Sequence, residues 1–295
     1  MKNTYKVIGI GEILWDLLPE GKQLGGAPTN FSFHAAQLGL QSSIVSAVGN
    51  DILGNEIIET LNSTEIRIFI DNNNKPTGTV SVTLDTEGVP SYVIHEDVAW
   101  DYINPSNDAL DYASSADAIC FGSLAQRSET SHLAILSFLM KSSEHALKVF
   151  DINMRQQYYS KKIIMKSLEL ANALKINEEE IMIFAEMFGL SGDEYELMHV
   201  IKDQFRLDYL ALTKGDKGSW LVSNEEESYL DTPHIKVKDT VGAGDSFTAT
   251  MTAGLLRKKS LKEVHKLAVE VSAFVCTHKG ATPELPENLL RSFQT

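Results

Sequence analysis

The chain has 295 residues, of which 43% are hydrophobic and 22% charged, and this ordinary globular composition excludes a disordered chain, a collagen-like repeat and a coiled coil. Its formal net charge of −14 would repel polyanions over most of the surface, so we expect neither nucleic acid nor a membrane as a partner. A small anionic ligand remains compatible with this charge, because a few backbone N–H groups can bind phosphate locally.

The first 62 residues alternate between strand and helix patterns. Short β-branched runs predict strands at Tyr5–Ile10 and Ser43–Val48, and apolar stretches predict helices at Thr29–Leu38 and Asn55–Leu61. Gly39 fits the C-cap of the first helix. No apolar signal segment precedes the first strand, so we expect a cytoplasmic protein.

Residues 66 to about 98 interrupt this alternation. Three short strands are predicted there, at Ile66–Ile70, Thr79–Leu84 and Tyr92–His95, separated by the turn clusters NNNKPTG and DTEGVP. They predict a small antiparallel sheet that projects from an α/β body. Such a sheet cannot cover both of its faces, so we expect its exposed face to form a homodimer interface.

From about residue 105 the alternation returns, which is typical of a parallel sheet covered by helices on both faces. The predicted strands are Ala118–Phe121, Leu147–Ile152, Ala173–Ile176 and Tyr209–Thr213, followed by an antiparallel edge hairpin of Ser219–Val222 and Glu227–Leu230. The predicted helices are Ser131–Met140, Ile163–Ala173, Glu178–Phe188, Tyr195–Phe205, Ser246–Arg257, Leu261–Thr277 and about Pro286–Phe293. The fold class is therefore α/β.

Two common nucleotide-binding motifs are excluded. Gly9 and Gly11 follow a strand as in a dinucleotide fingerprint, but Leu14 occupies the position of the third glycine, and no P-loop motif occurs. Cys120 and Cys276 lie in apolar segments and are expected to be buried structural thiols.

The segment DTVGAGDSF, residues 239–247, is the most informative in the chain. Gly242, Ala243 and Gly244 directly precede a predicted helix, where converging N–H groups and the helix dipole favour an anion. Asp245 is then either a helix N-cap or a catalytic carboxylate. An N-cap does not require Gly-Ala-Gly before it, whereas phosphoryl transfer needs N–H groups for the phosphoryl group and a carboxylate for the hydroxyl proton.

The same segment strongly resembles the C-terminal signature of the ribokinase-like (PfkB) family of sugar kinases, and further motifs of that family occur in order along essentially the whole chain. These motifs are Gly25-Gly26-Ala27-Pro28-Thr29-Asn30 with Ala36 and Leu38-Gly39, Val48-Gly49-Asn50-Asp51 with Gly54, Asp151-Ile152-Asn153-Met154-Arg155 of the fructokinase branch, Asn177 with Glu180, Thr213-Lys214-Gly215 with Lys217-Gly218, and Lys279-Gly280-Ala281. The resemblance implies a ribokinase-like three-layer α/β/α body with a mostly parallel central sheet and a small antiparallel β lid. It implies one unit over residues 1–295, with the lid at approximately 12–28 and 66–101.

The resemblance also implies site residues. Asp245 would be the general base for a sugar hydroxyl, with Gly242, Ala243 and Gly244 as the anion hole. The implied sugar-binding residues are Asp16, Gly25, Gly26, Asn30 and Arg155, and the implied ATP-binding residues are Asn177, Thr213, Lys214, Gly215 and Gly218. Asn177 and Glu180 would act on Mg²⁺ through water, and Asp239 with the Val241 carbonyl would bind a monovalent cation, K⁺, as in some relatives.

Taken without the family, several of these residues have simpler interpretations. Asp16 is then a solvated turn residue, and Gly25 and Gly26 form an ordinary tight turn. Glu178 and Glu179 are interpreted as the solvated start of a helix even within the family.

The expected reaction is ATP-dependent phosphorylation of a neutral sugar, and the GGAPTN and DINMR motifs favour fructose. Between Arg67 and Arg127 the only basic residues are Lys75 and His95, so the predicted lid lacks a guanidinium group for a sugar acid. The alternatives are a kinase for another small sugar, 2-keto-3-deoxygluconate or a nucleoside, and a catalytically silent sugar- or nucleotide-binding protein. The presence of Asp245 argues against the silent protein.

Overall fold

The structure is a computed structural model that describes residues 4–84 and 90–293. In chain order, the strands of this part are β1 (Lys6–Ile10), β2 (Leu14–Leu18), β3 (Gly21–Gly25), β4 (Gln41–Gly49), β5 (Arg67–Asn73), β6 (Thr79–Leu84), β7 (Pro90–Ile94), β8 (Ala118–Phe121), β9 (Leu147–Asp151), β10 (Ala173–Asn177), β11 (Tyr209–Thr213), β12 (Ser219–Val222) and β13 (Glu227–Leu230). The helices are α1 (Ala27–Gln37), α2 (Ile52–Asn62), α3 (Asn107–Ala113), α4 (Glu129–Lys141), α5 (Lys161–Leu168), α6 (Glu178–Phe188), α7 (Glu194–Gln204), α8 (Ala243–Leu256), α9 (Leu261–Cys276) and α10 (Glu287–Arg291).

The large sheet has the strand order β13-β12-β11-β10-β9-β8-β1-β4-β5. From β11 to β5 every neighbouring pair is parallel, and β11, β12 and β13 pair antiparallel. The predicted mostly parallel sheet and its edge hairpin are both confirmed.

Helices cover both faces of this sheet. Successive strand residues point to opposite faces, so neighbouring residues of one strand pack against different helices. On β1, Ile8 packs in the core that contains Phe138 of α4 and Phe184 of α6, while its neighbour Val7 packs in the core that contains Phe247 of α8. Full burial of each such side chain contributes about 1.5–3 kcal/mol. The predicted three-layer arrangement follows from this alternation.

One strand was predicted in the wrong sheet. Ile66–Ile70 was assigned to the small sheet and to the lid range 66–101, but Arg67–Asn73 is β5 and pairs in parallel with β4 at the edge of the large sheet. The reason is a β–α–β unit: α2 crosses over between β4 and β5, and Ile66 packs with Ile57 and Leu61 of that helix.

The small sheet has the order β3-β2-β6-β7. The hairpin of β6 and β7 is antiparallel, as predicted, and the hairpin of β2 and β3 is also antiparallel, but the central strands β2 and β6 run parallel to each other. Of the predicted turn DTEGVP, residues 85–89 lie outside the part of the chain that the structure describes. Neither β2 nor β3 was predicted as a strand, although their residues lie within the lid range 12–28.

Helix α3 was also not predicted; it begins after the N-cap Ser106, whose hydroxyl accepts the Ala109 N–H. Among the described residues, no helix combines the length and apolarity that a membrane crossing requires.

Candidate active site

The residues of interest gather at the carboxyl ends of the parallel strands, the usual ligand-binding edge of an open α/β sheet. Glu12 follows β1, Asp151 ends β9, Asn177 ends β10 and Thr213 ends β11. Strand polarity alone therefore brings together side chains that are far apart in the sequence.

Asp245 lies in the first turn of α8 and is joined to α1. The Asn30 side-chain amide donates to Oδ2 of Asp245 at 2.8 Å, across 215 residues of sequence. Burial, and next the charge of Asp151, raises the pKa of Asp245 to about 6. A carboxylate with this pKa is ionised at pH 7 and is still a good acceptor for a proton.

The N-cap of α8 is Gly242, not Asp245. Gly242 has a left-handed backbone with φ of 78°, and the helix begins at Ala243. The first helical N–H groups, including those of Gly244 and Asp245, have no partner within the helix. Asp245 is therefore not the helix cap, and its carboxylate lies beside free N–H groups of the kind that bind anions at helix N-termini.

A buried lysine lies directly beneath this terminus. A Cβ atom added to Gly244 would lie 2.8 Å from Nζ of Lys175, and that Nζ is paired with Oδ1 of Asp151 at 3.1 Å. Thr248 of α8 donates to the other Asp151 oxygen at 2.8 Å. Burial alone would lower the pKa of Lys175, but three neighbouring carboxylates, Asp151 first among them, raise it. The lysine is a fixed positive charge behind the anion-binding N–H groups.

Lys175 was missed by the sequence analysis, although a signal was present. It is a single charge in the apolar strand ALKIN, and buried charges are retained only when they are paired.

Glu12 is a second buried group that the sequence analysis missed. It is 1% exposed, its Oε1 accepts the Ala27 N–H at 3.2 Å, and its Oε2 has no hydrogen-bond partner among the described residues. Burial, with a further contribution from the charge of Asp245, raises the pKa of Glu12 to about 7. Glu12 thus stabilises the start of α1, whose N-cap Gly26 has no side chain to do so.

Asp16 is on the lid, in β2, next to the glycine pair. A Cβ atom on Gly25 would lie 2.5 Å from Oδ2 of Asp16, and one on Gly26 would lie 2.3 Å from the Glu12 carbonyl oxygen. The two glycines therefore allow a close approach that no other residue permits. Asp16 lies inside a strand and is half-buried, so it is not a solvated turn residue, and this burial raises its pKa to about 6.

Arg155 is exposed in the loop after β9, and its charge opposes the rise in the pKa of both Asp245 and Glu12. Two residues of this loop have a left-handed backbone: Asn153, two residues before Arg155, has φ of 44°, and Gln156, directly after it, has φ of 47°. Left-handed conformations of this kind cost about 1–3 kcal/mol each and are concentrated at functional sites. Gln156 Nε2 also donates to the Tyr92 carbonyl at 2.8 Å, so this loop binds the edge of the lid sheet.

A cavity of ≈ 350 Å³ extends from the start of α8. Ala243, Gly244, Thr213, Gly215 and Gly218 line it, and its apolar lining includes Val237, Phe247, Val269 and Ala273. Three of the predicted ATP-binding residues therefore share one cavity with the predicted anion hole. Lys214 does not line it; its Nζ is paired with Glu194 of α7 at 2.5 Å.

Asn177 and Glu180 form a capping box at the start of α6. Oδ1 of Asn177 accepts the Glu179 and Glu180 N–H groups, while the two oxygens of Glu180 accept the Asn177 and Met154 N–H groups. Glu180 is 3% exposed. This donor set does not fit direct coordination of a metal ion, and no group of three or more His, Cys, Asp or Glu side chains within residues 4–84 and 90–293 is arranged to hold one.

Asp239 connects two backbone segments near the start of α8. Its Oδ1 accepts the Val241 N–H and its Oδ2 accepts the Gly280 N–H, each at 3.0 Å. The carboxylate is thus a bridge between the segment before α8 and the segment after α9.

Comparison with known proteins identifies relatives along the whole chain. The sequence model of the pfkB family of carbohydrate kinases matches residues 20–288. A sugar kinase from Pyrococcus horikoshii is 31% identical over an alignment that covers 96% of this chain and 94% of the relative. The fructokinase of Salmonella typhimurium is 26% identical, with 95% and 96% of the two chains covered.

Solved structures confirm the three-layer fold. The Pyrococcus horikoshii sugar kinase superimposes with a TM-score of 0.81 at 29% identity over 98% of both chains, and a second structure of it, with a TM-score of 0.79, is a complex with ATP. The 2-dehydro-3-deoxygluconokinase of Thermotoga maritima has a TM-score of 0.85 at 19% identity, over 97% of this chain and 98% of its own, and shows likeness of fold alone.

Proposed function

We propose that this chain, which belongs to the pfkB family of carbohydrate kinases, transfers the γ-phosphoryl group of ATP to a hydroxyl group of a neutral sugar, with fructose as the expected substrate. Membership of this family identifies the chain as a sugar kinase. The observation that carries the proposed chemistry is the position of Asp245, a carboxylate of raised pKa beside the free N–H groups that start α8 and directly after Ala243 and Gly244, which line the cavity.

In this mechanism Asp245 accepts the hydroxyl proton as the oxygen–phosphorus bond forms. The Asn30 amide holds Asp245 Oδ2 and so fixes the direction of the other oxygen. The N–H groups of α8 and the charge of Lys175 stabilise the negative charge on the transferring phosphoryl group, because both are in place before the reaction.

The cavity supports ATP as the phosphoryl donor. Its apolar lining suits a nucleobase, and a γ-phosphate would lie against Ala243 and Gly244, which also line it. The complex of the Pyrococcus horikoshii sugar kinase with ATP supports the same assignment. Mg²⁺ would neutralise phosphate oxygens when it is bound, and we propose that the nucleotide would hold it and that Asn177 and Glu180 would act on it through water rather than by direct coordination. A monovalent cation at Asp239 and the Val241 carbonyl also stays a proposal.

The lid supports a neutral substrate, because its basic residues already have partners. Lys75 pairs with Asp97 at 2.6 Å, Lys22 pairs with Glu56, and Nε2 of His95 is hydrogen-bonded to Ser81. Arg127, just outside the lid, is 6% exposed and forms a bidentate pair with Asp101. Arg155 is exposed and its charge acts on Asp245, so we propose it as the cation that is available to a substrate.

We expect fructose to be phosphorylated with a kcat/KM at least ~10-fold above that of 2-keto-3-deoxygluconate, since an anionic substrate meets an unfavourable field in a chain of net charge −14. The measurement is steady-state kinetics at fixed ATP and Mg²⁺, with ribose, tagatose and adenosine as further substrates. A higher kcat/KM for the sugar acid would contradict the neutral-substrate proposal and leave the kinase assignment intact.

Asp16→Ala is expected to weaken sugar binding by about 10–150-fold, since a carboxylate that accepts sugar hydroxyl groups contributes ~1.5–3 kcal/mol. Titration calorimetry with the preferred sugar measures this loss. Asp16→Asn keeps an acceptor and is the matched control with a smaller loss. Unchanged affinity in both variants would place Asp16 outside the sugar site.

The activity is expected to decrease as the pH falls through about 6. Burial raises the pKa of Asp245 to about 6, and the base accepts a proton only when it is ionised. Activity therefore requires a pH above this pKa, and kcat falls about tenfold per pH unit well below it. Direct quantification of sugar phosphate between pH 5 and 8, at saturating ATP and sugar, gives the profile. A flat profile down to pH 5 would show that this carboxylate is not the base.

We also propose that two copies associate through the lid sheet. Leu17 of β2 and Val93 of β7 both align with Ser81 of β6, so they lie on one face of this sheet, where they are 36% and 46% exposed and offer apolar surface to a second copy. Light scattering coupled to size-exclusion chromatography would give the mass in solution.

A further inference from the structure

One face of α1 contacts the first turn of α8 and the segment of residues 281–285 that follows α9. Asn30, His34 and Gln37 are spaced four and three residues apart, so their side chains lie on one face of the helix. Asn30 binds Asp245, Nε2 of His34 lies 2.9 Å from the Ala281 carbonyl oxygen, and Gln37 binds both the Pro283 carbonyl and the Leu285 N–H.

The Ala281 backbone packs directly on the N-cap of α8. A Cβ atom added to Gly242 would lie 2.4 Å from the Ala281 carbonyl oxygen and 2.6 Å from its Cα atom. The adjacent Gly280 is held from the other side, where Asp239 accepts its N–H. The position of Gly242, and with it the direction of the first N–H groups of α8, therefore depends on what fixes the Ala281 carbonyl.

His34 is the side chain that fixes it. The imidazole is fully buried, and this burial lowers the pKa of His34 to about 4, so the ring is neutral at physiological pH. A carbonyl oxygen only accepts hydrogen bonds, so Nε2 carries the single ring proton and donates it. Nδ1 has no hydrogen-bond partner among the described residues, so the bond to Ala281 is the polar interaction that orients the ring.

We propose that His34 is a positioning residue for phosphoryl transfer: by holding the Ala281 carbonyl against Gly242, it sets the anion-binding N–H groups at a fixed distance from the base that Asn30 holds on the same helix face. The inference rests on the proposed function for its kinetic consequence. His34 touches neither the sugar nor the nucleotide cavity, and acts on the reacting group through Ala281 and Gly242.

The test is a series of substitutions at one position. His34→Leu removes the donor, and His34→Gln places an amide N–H where Nε2 was. We expect His34→Leu to lower kcat by about 10–100-fold, as displacement of reacting groups by about 1 Å does, with the KM for the sugar within about threefold of wild type. His34→Gln should restore kcat to within a few-fold.

Gln37→Leu is the matched control, because it removes hydrogen bonds from the same helix to the same segment, but two to four residues beyond Ala281. It should lower Tm and leave kcat within about threefold of wild type, whereas a merely structural role of His34 would give both leucine variants the same kinetics. If His34→Leu does not fold, His34→Asn replaces it. The asparagine side chain is too short to donate to the Ala281 carbonyl, so this variant should show the same loss of kcat.

Amide hydrogen exchange separates this inference from the proposed function. Residues 240–246 should exchange faster in His34→Leu than in wild type and Gln37→Leu, whether or not a sugar is phosphorylated. If the wild-type protein phosphorylates no sugar, the proposed function is overturned. Amide hydrogen exchange then remains as the test of whether His34 holds the start of α8 in place. Unchanged exchange, a kcat of His34→Leu within twofold of wild type, or failure of His34→Gln to restore kcat would each overturn the positioning role.

Discussion

Asp245→Asn is expected to lower kcat by at least ~10²-fold while the affinity for ATP stays within a few-fold of wild type, because only the proton acceptor is lost. The amide can rotate to keep a hydrogen bond to Asn30, and the glycine N–H groups that would contact the phosphates are untouched. Steady-state kinetics at saturating sugar and ATP titration calorimetry give the two quantities.

The stability of this variant is a useful control. Burial raises the pKa of Asp245, which means that the ionised side chain costs folding free energy above pH 6. Asp245→Asn should therefore have a Tm equal to or above that of wild type at pH 7. A variant with nearly full activity would show that another group accepts the proton, and Glu12 would be the first candidate.

The second large effect is expected for Gly242→Ala. The new Cβ would lie 2.4–2.8 Å from three atoms of Ala281, and φ at this position is 78°, so the backbone must move. We expect kcat to fall by at least ~10²-fold, because one lost oxyanion donor costs about that much. The ATP and sugar affinities should change less than kcat, and the same assays measure all three.

Gly189→Ala is a control that introduces backbone strain without displacing the start of α8. Gly189 is the C-cap of α6 with φ of 69°, and a Cβ there meets nothing within 4 Å. This substitution should cost about 1–2 kcal/mol of stability from the left-handed backbone, with no change in kcat. If Gly242→Ala behaved in the same way, the start of α8 would not be the anion-binding site.

The sequence was sufficient to predict the alternation of strands and helices, because the strands of the large sheet are short apolar runs that are buried on both faces. It was not sufficient for β5, since the same β-branched pattern suits an edge strand of either sheet and only the α2 crossover decides between them. Strands β2 and β3 escaped prediction because LWDLL and GKQLG lack a regular alternation of apolar and polar residues.

The sequence indicated only some residues of the candidate site, since Lys175 and Glu12 were missed, and it indicated none of the contacts between them. The glycines and Asp245 were identified from chemistry that a local segment can show. The bond between Asn30 and Asp245, the charge of Lys175 beneath Gly244 and the bond from His34 to Ala281 join distant segments, and no local pattern specifies which segments meet. Lys214 illustrates the converse: it belongs to a nucleotide-binding motif, yet its side chain pairs with Glu194.

The packing of α1 against α8 has a consequence for biosynthesis. Strand β1 is flanked by β4 and β8, and the apolar face of α1, with Phe31, Ala35 and Leu38, is covered by residues of α8 and α9. During translation α1 leaves the ribosome about 200 residues before those helices, which at ~5–20 residues per second leaves its apolar face uncovered for some 10–40 seconds. The nascent chain should therefore be a chaperone substrate until the last third is made. Ribosome-bound chains that stop before α8 should remain sensitive to protease throughout residues 27–62.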